Sequence, residues 1–194
     1  MRSVADVRTA LGSYTARVLD GHRRAAVAIV LHEAPAGPEM LFIERAERLG
    51  DPWSGHMAFP GGRVDPGDPD ARAAAERETL EEVGLDLRRA EPLGRLDDLH
   101  AGVRYVAPLV LSPFVYRIDA RVPLTPNHEV REALWVPLDR LHDPAHHVDH
   151  RWGLTRFPGI LVGEPGRQIV WGLTYQVLEG FFGIAGVPLR PPRQ

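Results

Sequence analysis

The chain has 194 residues, 44% of them apolar and 25% charged, with a net charge of −3 and no cysteine. That length suits one globular domain, residues 1–194, with room for a sizeable core. The missing cysteine excludes disulfides, thiolate catalysis and cysteine-held metal, and the slight acidity gives no general footprint for nucleic acid. The opening MRSVADVRTALGSY lacks the apolar core of a signal peptide. The longest apolar run, residues 25–31, is strand-sized, so no membrane span is expected, and the lack of cysteine fits a cytoplasmic protein.

In chain order, residues 3–19 space Val4, Val7, Leu11 and Val18 as a weakly amphipathic helix, an N-terminal extension reaching residue 22. RRAAVAIVLHE and MLFIER flank the turn PAGPE and predict a hairpin over residues 25–45. LGDPWSGHMAFPGG is loop-like, then short and apolar before Gly61-Gly62. A helix follows, with Asp68 suited to cap it, Pro69 to open it and Gly84 to end it. EPLGRLDDL and YVAPLVLSPFVYRI read as strands, and the prolines of the second predict an edge position or bulges. ALWVPL is a short strand and DRLHD a helical turn. HVDHRWGLTRFPGILVGEPGRQIVW predicts one or two hairpins, and WGLTYQVLEGFFGIAG a closing helix. The tail, residues 187–194, is expected to fray. Strand runs with few substantial helices predict an α+β domain, a mixed sheet between helices.

The helix after Gly62 carries Glu78, Glu81 and Glu82 within five residues. On a wheel of about 100° per residue the three share one face with Ala71, Ala74 and Ala75, leaving Leu80, Val83 and Ala73 opposite for burial. Like charges one turn apart destabilise a helix, and Arg77 stands one turn before Glu81 to offset part of that. A solvated acidic face is one reading. The sharper one is a site for hard divalent cations, magnesium or manganese, which prefer clustered carboxylates and leave an open side for phosphate. Gly61 and Gly62 let backbone pass close to such a ligand.

This stretch resembles the Nudix box, whose pattern is Gly, five residues, Glu, seven residues, then Arg-Glu-apolar-x-Glu-Glu-x-Gly-apolar. Arg77-Glu78-Thr79-Leu80-Glu81-Glu82-Val83-Gly84-Leu85 fits its second half, with Thr79 in an apolar slot. In the first half Asp68 replaces Glu, and eight residues separate it from Arg77. The coenzyme A pyrophosphatase-like branch of the family carries this expansion and an Asp. PNHEVREALWVPL at residues 126–138 resembles the strand entry after the box, and IVWGLT at 169–174 the start of the closing helix. The resemblance thus extends over residues 25–185.

The resemblance implies the Nudix fold, an α/β/α sandwich, and metal-dependent hydrolysis of a phosphoanhydride in a nucleoside diphosphate linked to another group. It implies Glu78, Glu81 and Glu82 as metal ligands, a Gly61 carbonyl beside them, and Arg77 orienting the acids. Glu129, with Glu132 behind it, is a candidate base toward water, beside a box glutamate. Arg45, Arg48, Trp53 and Gly62 are candidate substrate contacts. Relatives often dimerise, so a homodimer is one state it allows. His142, His146, His147 and His150 suggest zinc only weakly, because they lack partners at strict spacing. Glu76 falls on the side of the helix where relatives carry an apolar residue.

Two further readings stand beside the diphosphohydrolase: a true coenzyme A pyrophosphatase, giving 4'-phosphopantetheine and 3',5'-ADP, and a non-catalytic ligand-sensing Nudix module. Intact box acids favour an enzyme. The coenzyme A signature is Leu-Leu-Thr-x-Arg-Ser/Ala, three residues, Arg, three residues, Gly, three residues, Phe-Pro-Gly-Gly. The chain keeps Arg45-Ala46, Gly55 and FPGG at 59–62, has Ile43 for Thr, one extra residue, and Gly50-Asp51 at the second Arg. An arginine is the natural partner of the coenzyme A 3'-phosphate and an aspartate repels it, so weak coenzyme A hydrolysis is expected.

Overall fold

The computed structural model describes residues 3–48, 53–101 and 109–189. The first helix, α1 (Val4–Gly12), is shorter than its apolar spacing suggests. Ser3 and Asp6 close a capping box at its start, and the chain leaves the helix after Gly12. Residues beyond it run extended to Asp98, a fully buried carboxylate that accepts from Leu19 N and from the Arg24 guanidinium. Val18 therefore stays exposed instead of extending the helical stripe.

The predicted hairpin forms as β1 (Arg24–Ala34) and β2 (Gly37–Arg45), antiparallel with Ala34 opposite Gly37. Next come β3 (Met57–Ala58), β4 (Gly61–Arg63) and the box helix α2 (Ala71–Val83). Strands β5 (Glu91–Arg95), β6 (Leu99–Ala101), β7 (Leu109–Ile118) and β8 (Val130–Pro137) follow, then the short α3 (Leu138–His142). The main sheet runs β3-β2-β1-β7-β5, with β4 also on β1, β6 on β7 and β8 on β2. It is mixed, since β1 and β7 are parallel and the other pairs antiparallel.

The edge position expected from the prolines is corrected. β7 is interior, between β1 and β5, and the bulge lies in β5 between Pro92 and Gly94. Pro113 is carried in an interior strand, and its carbonyl still accepts from Leu96 N. β9 (His147–Trp152), β10 (Thr155–Leu161) and β11 (Ile169–Trp171) form a separate three-stranded antiparallel sheet. Residues 169–171 are thus strand, and the closing helix α4 (Gly172–Ile184) starts after them. Val187 and Leu189 pack on the core, so the tail is anchored at least to 189.

Alternate residues of β1 divide the core between two layers, as strand periodicity requires. Ile29 and Leu31 pack with α1 and α4, through Val7, Leu11, Leu178 and Phe181. Ala26, Ala28 and Val30 pack with α2, through Ala74, Ala75 and Val83. The result is the expected α+β architecture, helices on both faces of a mixed sheet. Small residues on both sides of the second interface bring α2 close to β1 and β4, which positions the site. No described helix is long and apolar enough to cross a membrane.

Candidate active site

The site begins with which face of α2 is buried. The face opposite the acids does not bury as a whole: Val83 is buried, but Leu80 is 41% exposed. The buried residues are Ala74, Ala75, Thr79, Glu82 and Val83, a stripe that overlaps the acidic face. The helix has no continuous stripe of large apolar side chains, so close packing of alanines against the sheet decides its rotation. That rotation takes Glu82 to 2% exposure and leaves Glu81 at the rim.

Glu82 Oε2 accepts the Gly61 N–H at 2.8 Å. Burial pushes the Glu82 carboxyl up to about 8, and the charges of Glu78 and Glu129 push the same way, against the Gly61 hydrogen bond and Arg45. Burial also raises Glu78, against the Arg77 guanidinium. Both glycines of the loop are required by space. Gly61 has φ +148 and presses on the β1 backbone, where an added Cβ would lie 2.6 Å from Val27 Cα. At Gly62 an added Cβ would lie 2.5 Å from Glu78 Cδ.

Arg77 is a hub. Its Nε and one terminal nitrogen donate to the two oxygens of Asp68, each at 3.0 Å. The other terminal nitrogen reaches Glu78 at 3.0 Å and Glu81 at 3.4 Å, and the Arg63 carbonyl accepts at 3.1 Å. Asp68 was expected as the helix cap; that role belongs to Asp70, whose side chain accepts from Ala73 N. Asp68 instead holds the arginine, which keeps its carboxyl below the usual range. Gly84 ends the helix in the left-handed region as expected, at φ 73.

The second wall comes from the ends of β2 and β8. Ala46 N donates to the Glu129 carbonyl at 2.8 Å, and the Arg48 guanidinium meets Glu129 Oε1 at 2.9 Å. The Ser54 hydroxyl bridges Arg48 N and O. Arg45 bonds through its backbone to His56 and Gly55, while its charge is felt at Glu82. Trp53 is about half exposed beside His56. Residues 125–127 dock on the C-terminal end of α2, Thr125 N to Val83 O and Asn127 N to Glu82 O, which brings Glu129 near Glu82. Positions 50 and 51 lie outside the described residues.

Glu132 is drawn away from this group. It accepts from Gln168 Nε2 at 2.8 Å and from Arg167 at 3.0 Å, and the same Gln168 nitrogen serves buried Glu44. The histidines do not converge: His142 lies by Phe182, His146 by Asp143, His147 on the Leu141 carbonyl and His150 on Trp171. Among the described residues no three His, Asp or Glu side chains stand as a ready metal site, the box acids included, since Glu81 turns out toward Arg77. Glu76, unexplained in sequence, accepts from the buried Tyr116 hydroxyl at 3.0 Å and pairs with Arg72. Sequence reasoning missed Asp68 as the partner of Arg77. Its spacing of nine residues, two and a half helical turns less the loop, gave no periodic signal.

The arrangement sets an acid-bearing helix, a glycine loop seated on it, and arginines on the facing wall around one site. Residues 21–157 match the NUDIX domain, and the chain belongs to the Nudix family. It is 32% identical over 162 residues to an uncharacterised Nudix hydrolase, NudL, of Yersinia pestis, covering 81% of this chain and 77% of that one. An uncharacterised Schizosaccharomyces pombe protein is 42% identical over 106 residues, 52% of this chain and only 32% of that protein's length. A MutT/nudix family protein from Enterococcus faecalis shares the fold at TM-score 0.59 and 18% identity, over 93% of this chain and 68% of that one. Family and relatives together make the chain a hydrolase, of a family that generally uses divalent cations.

Proposed function

We propose that the chain, as a single domain, is a magnesium- or manganese-dependent diphosphohydrolase. Its substrate is a nucleoside diphosphate linked to another moiety, such as a coenzyme A-like compound, a nucleotide sugar, ADP-ribose or a dinucleotide. The observation that carries the reading is Glu82, a buried carboxylate repelled by Glu78 and held by one backbone N–H. Such a group is costly without a cation, and an all-oxygen donor set fits a hard divalent ion. Glu78 and Glu82 would hold it, with Glu81 and the Gly61 carbonyl as further donors. The bound ion supplies charge neutralisation on the phosphoryl oxygens.

The chain's own residues do the rest. Arg77, fixed on Asp68, orients Glu78 and restrains Glu81. Glu129 takes the proton of the attacking water. Arg45 and Arg48 face the substrate anion, Gly62 leaves room for it, and Trp53 offers a ring to stack on a base. Coenzyme A turnover is weak, because the sequence has Gly50-Asp51 where the coenzyme A branch carries its second arginine, and an aspartate repels a 3'-phosphate.

A panel of coenzyme A, 3'-dephospho-coenzyme A, nucleotide sugars, ADP-ribose, NADH, dinucleoside polyphosphates and nucleoside triphosphates, assayed with magnesium and manganese, tests this. Turnover of a diphosphate derivative lacking the 3'-phosphate is expected to lead. Coenzyme A as the best substrate, with the dephospho form much poorer, would overturn the specificity. Metal-independent binding with no turnover of any compound would favour the ligand-sensing reading.

A further inference from the structure

We propose that Arg48 masks Glu129 until a substrate's diphosphate takes the guanidinium away, so that anion binding itself unmasks the base. The inference rests on the function proposed above and concerns the control of that site. Three observations converge. Arg48 meets Glu129 Oε1 at 2.9 Å, while His128 Nε2 stands farther from the same oxygen, at 3.8 Å. The backbone beneath the pair is tied together, Ala46 N to Glu129 O at 2.8 Å, and Ser54 clamps Arg48 N and O. The side chain of Arg48 is thus free to pivot about a fixed backbone. Lastly, Arg77 already serves Asp68, Glu78, Glu81 and the Arg63 carbonyl, so it has no fork left for substrate.

While the guanidinium sits on Glu129 Oε1, that oxygen is occupied by a donor and is closed to the proton of an approaching water. A diphosphate offers the guanidinium more charge and a better bidentate match than a single carboxylate oxygen. Both side chains are about two-fifths exposed, so the pair is weak enough to be exchanged. The exchange moves no proton and breaks no covalent bond. Arg48 accordingly binds the substrate anion directly and acts on water only through Glu129.

The test is a double-mutant cycle in binding, read by titration calorimetry with α,β-methylene-ADP and excess magnesium, so that no turnover is needed. In the native background Glu129→Gln frees Arg48 and should tighten binding about three- to fivefold, the size of an exposed ion pair. Arg48→Ala should weaken binding, and in that background Glu129→Gln should change it by less than about 1.5-fold. Arg48→Lys should restore part of the coupling. Equal tightening by Glu129→Gln in both backgrounds would mean bulk charge alone and would overturn the latch, as would no tightening in either. Loss of the wider hydrolase reading looks different: the native protein would then fail to bind the probe at all, and inorganic pyrophosphate with the same four proteins would carry the cycle.

Discussion

Gly61 donates its backbone N–H to Glu82 Oε2 at 2.8 Å, tying the turn before the box to a carboxylate that the fold has taken out of water. That bond fixes the glycine loop against α2, and it leaves Glu82 with too little compensation for a buried charge. The first prediction concerns that imbalance.

Unfolded, Glu82 titrates near 4.5; folded and metal-free, burial moves it to about 8. The unfolded chain therefore loses this proton first, and stability of the metal-free protein falls as pH rises between those values. The raised Glu78 acts in the same direction, whereas Asp68, held low by Arg77, acts below that window. Denaturation with a chelator present should show a loss on the order of a few kcal/mol from pH 5 to 8.5. Excess magnesium should cancel most of it, and Glu82→Gln should flatten the curve. A flat curve for the native chelated protein would refute the account.

Glu82→Gln should also lower metal affinity and cut turnover by orders of magnitude, because a ligand of the ion acts on the transition state. The metal-free variant should fold as well as the parent or slightly better, as a repulsion is relieved. Near-normal turnover at saturating metal would remove Glu82 from the site.

The two loop glycines should fail differently. Gly61→Ala meets the β1 backbone at positive φ and should lower stability by roughly 2 kcal/mol or more. Gly62→Ala meets the movable end of Glu78, so it should keep most stability and lose metal affinity and turnover. Thermal melts beside magnesium titrations separate the two; equal losses of stability would contradict the contrast.

Asp70→Ala should cost about 1 kcal/mol, the loss of a helix cap, with turnover nearly intact. Asp68→Ala should leave the cap alone but release Arg77, lowering turnover about tenfold or more through misplaced Glu78 and Glu81. If Asp70→Ala impairs turnover more than Asp68→Ala, the division of roles between them is wrong.

Glu129→Gln should lower turnover by about a hundredfold or more with metal binding retained, the size of a lost general base. An unchanged rate would return the base to a box glutamate.

Much of this was legible in the sequence where chemistry is local. Hairpin β1–β2 follows from two apolar runs around a Pro/Gly turn, and Gly84 ends α2 because glycine alone enters the left-handed region without penalty. The motif from Arg77 to Leu85 marked the acid helix, and Gly61-Gly62 its loop. What failed was nonlocal. Periodicity put Leu80 inside, but a helix without a large apolar stripe turns whichever face packs closest, and Ala74 and Ala75 fit β1. Pro113 looked like an edge marker, yet β7 lies inside the sheet.

By itself, then, the sequence determined the elements that short-range physics specifies, and the residue types able to hold a hard cation and a phosphate. Tertiary structure alone decided which carboxylate loses its water, that Asp68 grips Arg77 while Asp70 caps, that Glu132 is drawn off by Gln168, and that Arg48 faces Glu129. The physical reason is that burial and charge pairing depend on what the rest of the chain brings within a few ångströms. Spacing along one segment carries no record of those distances.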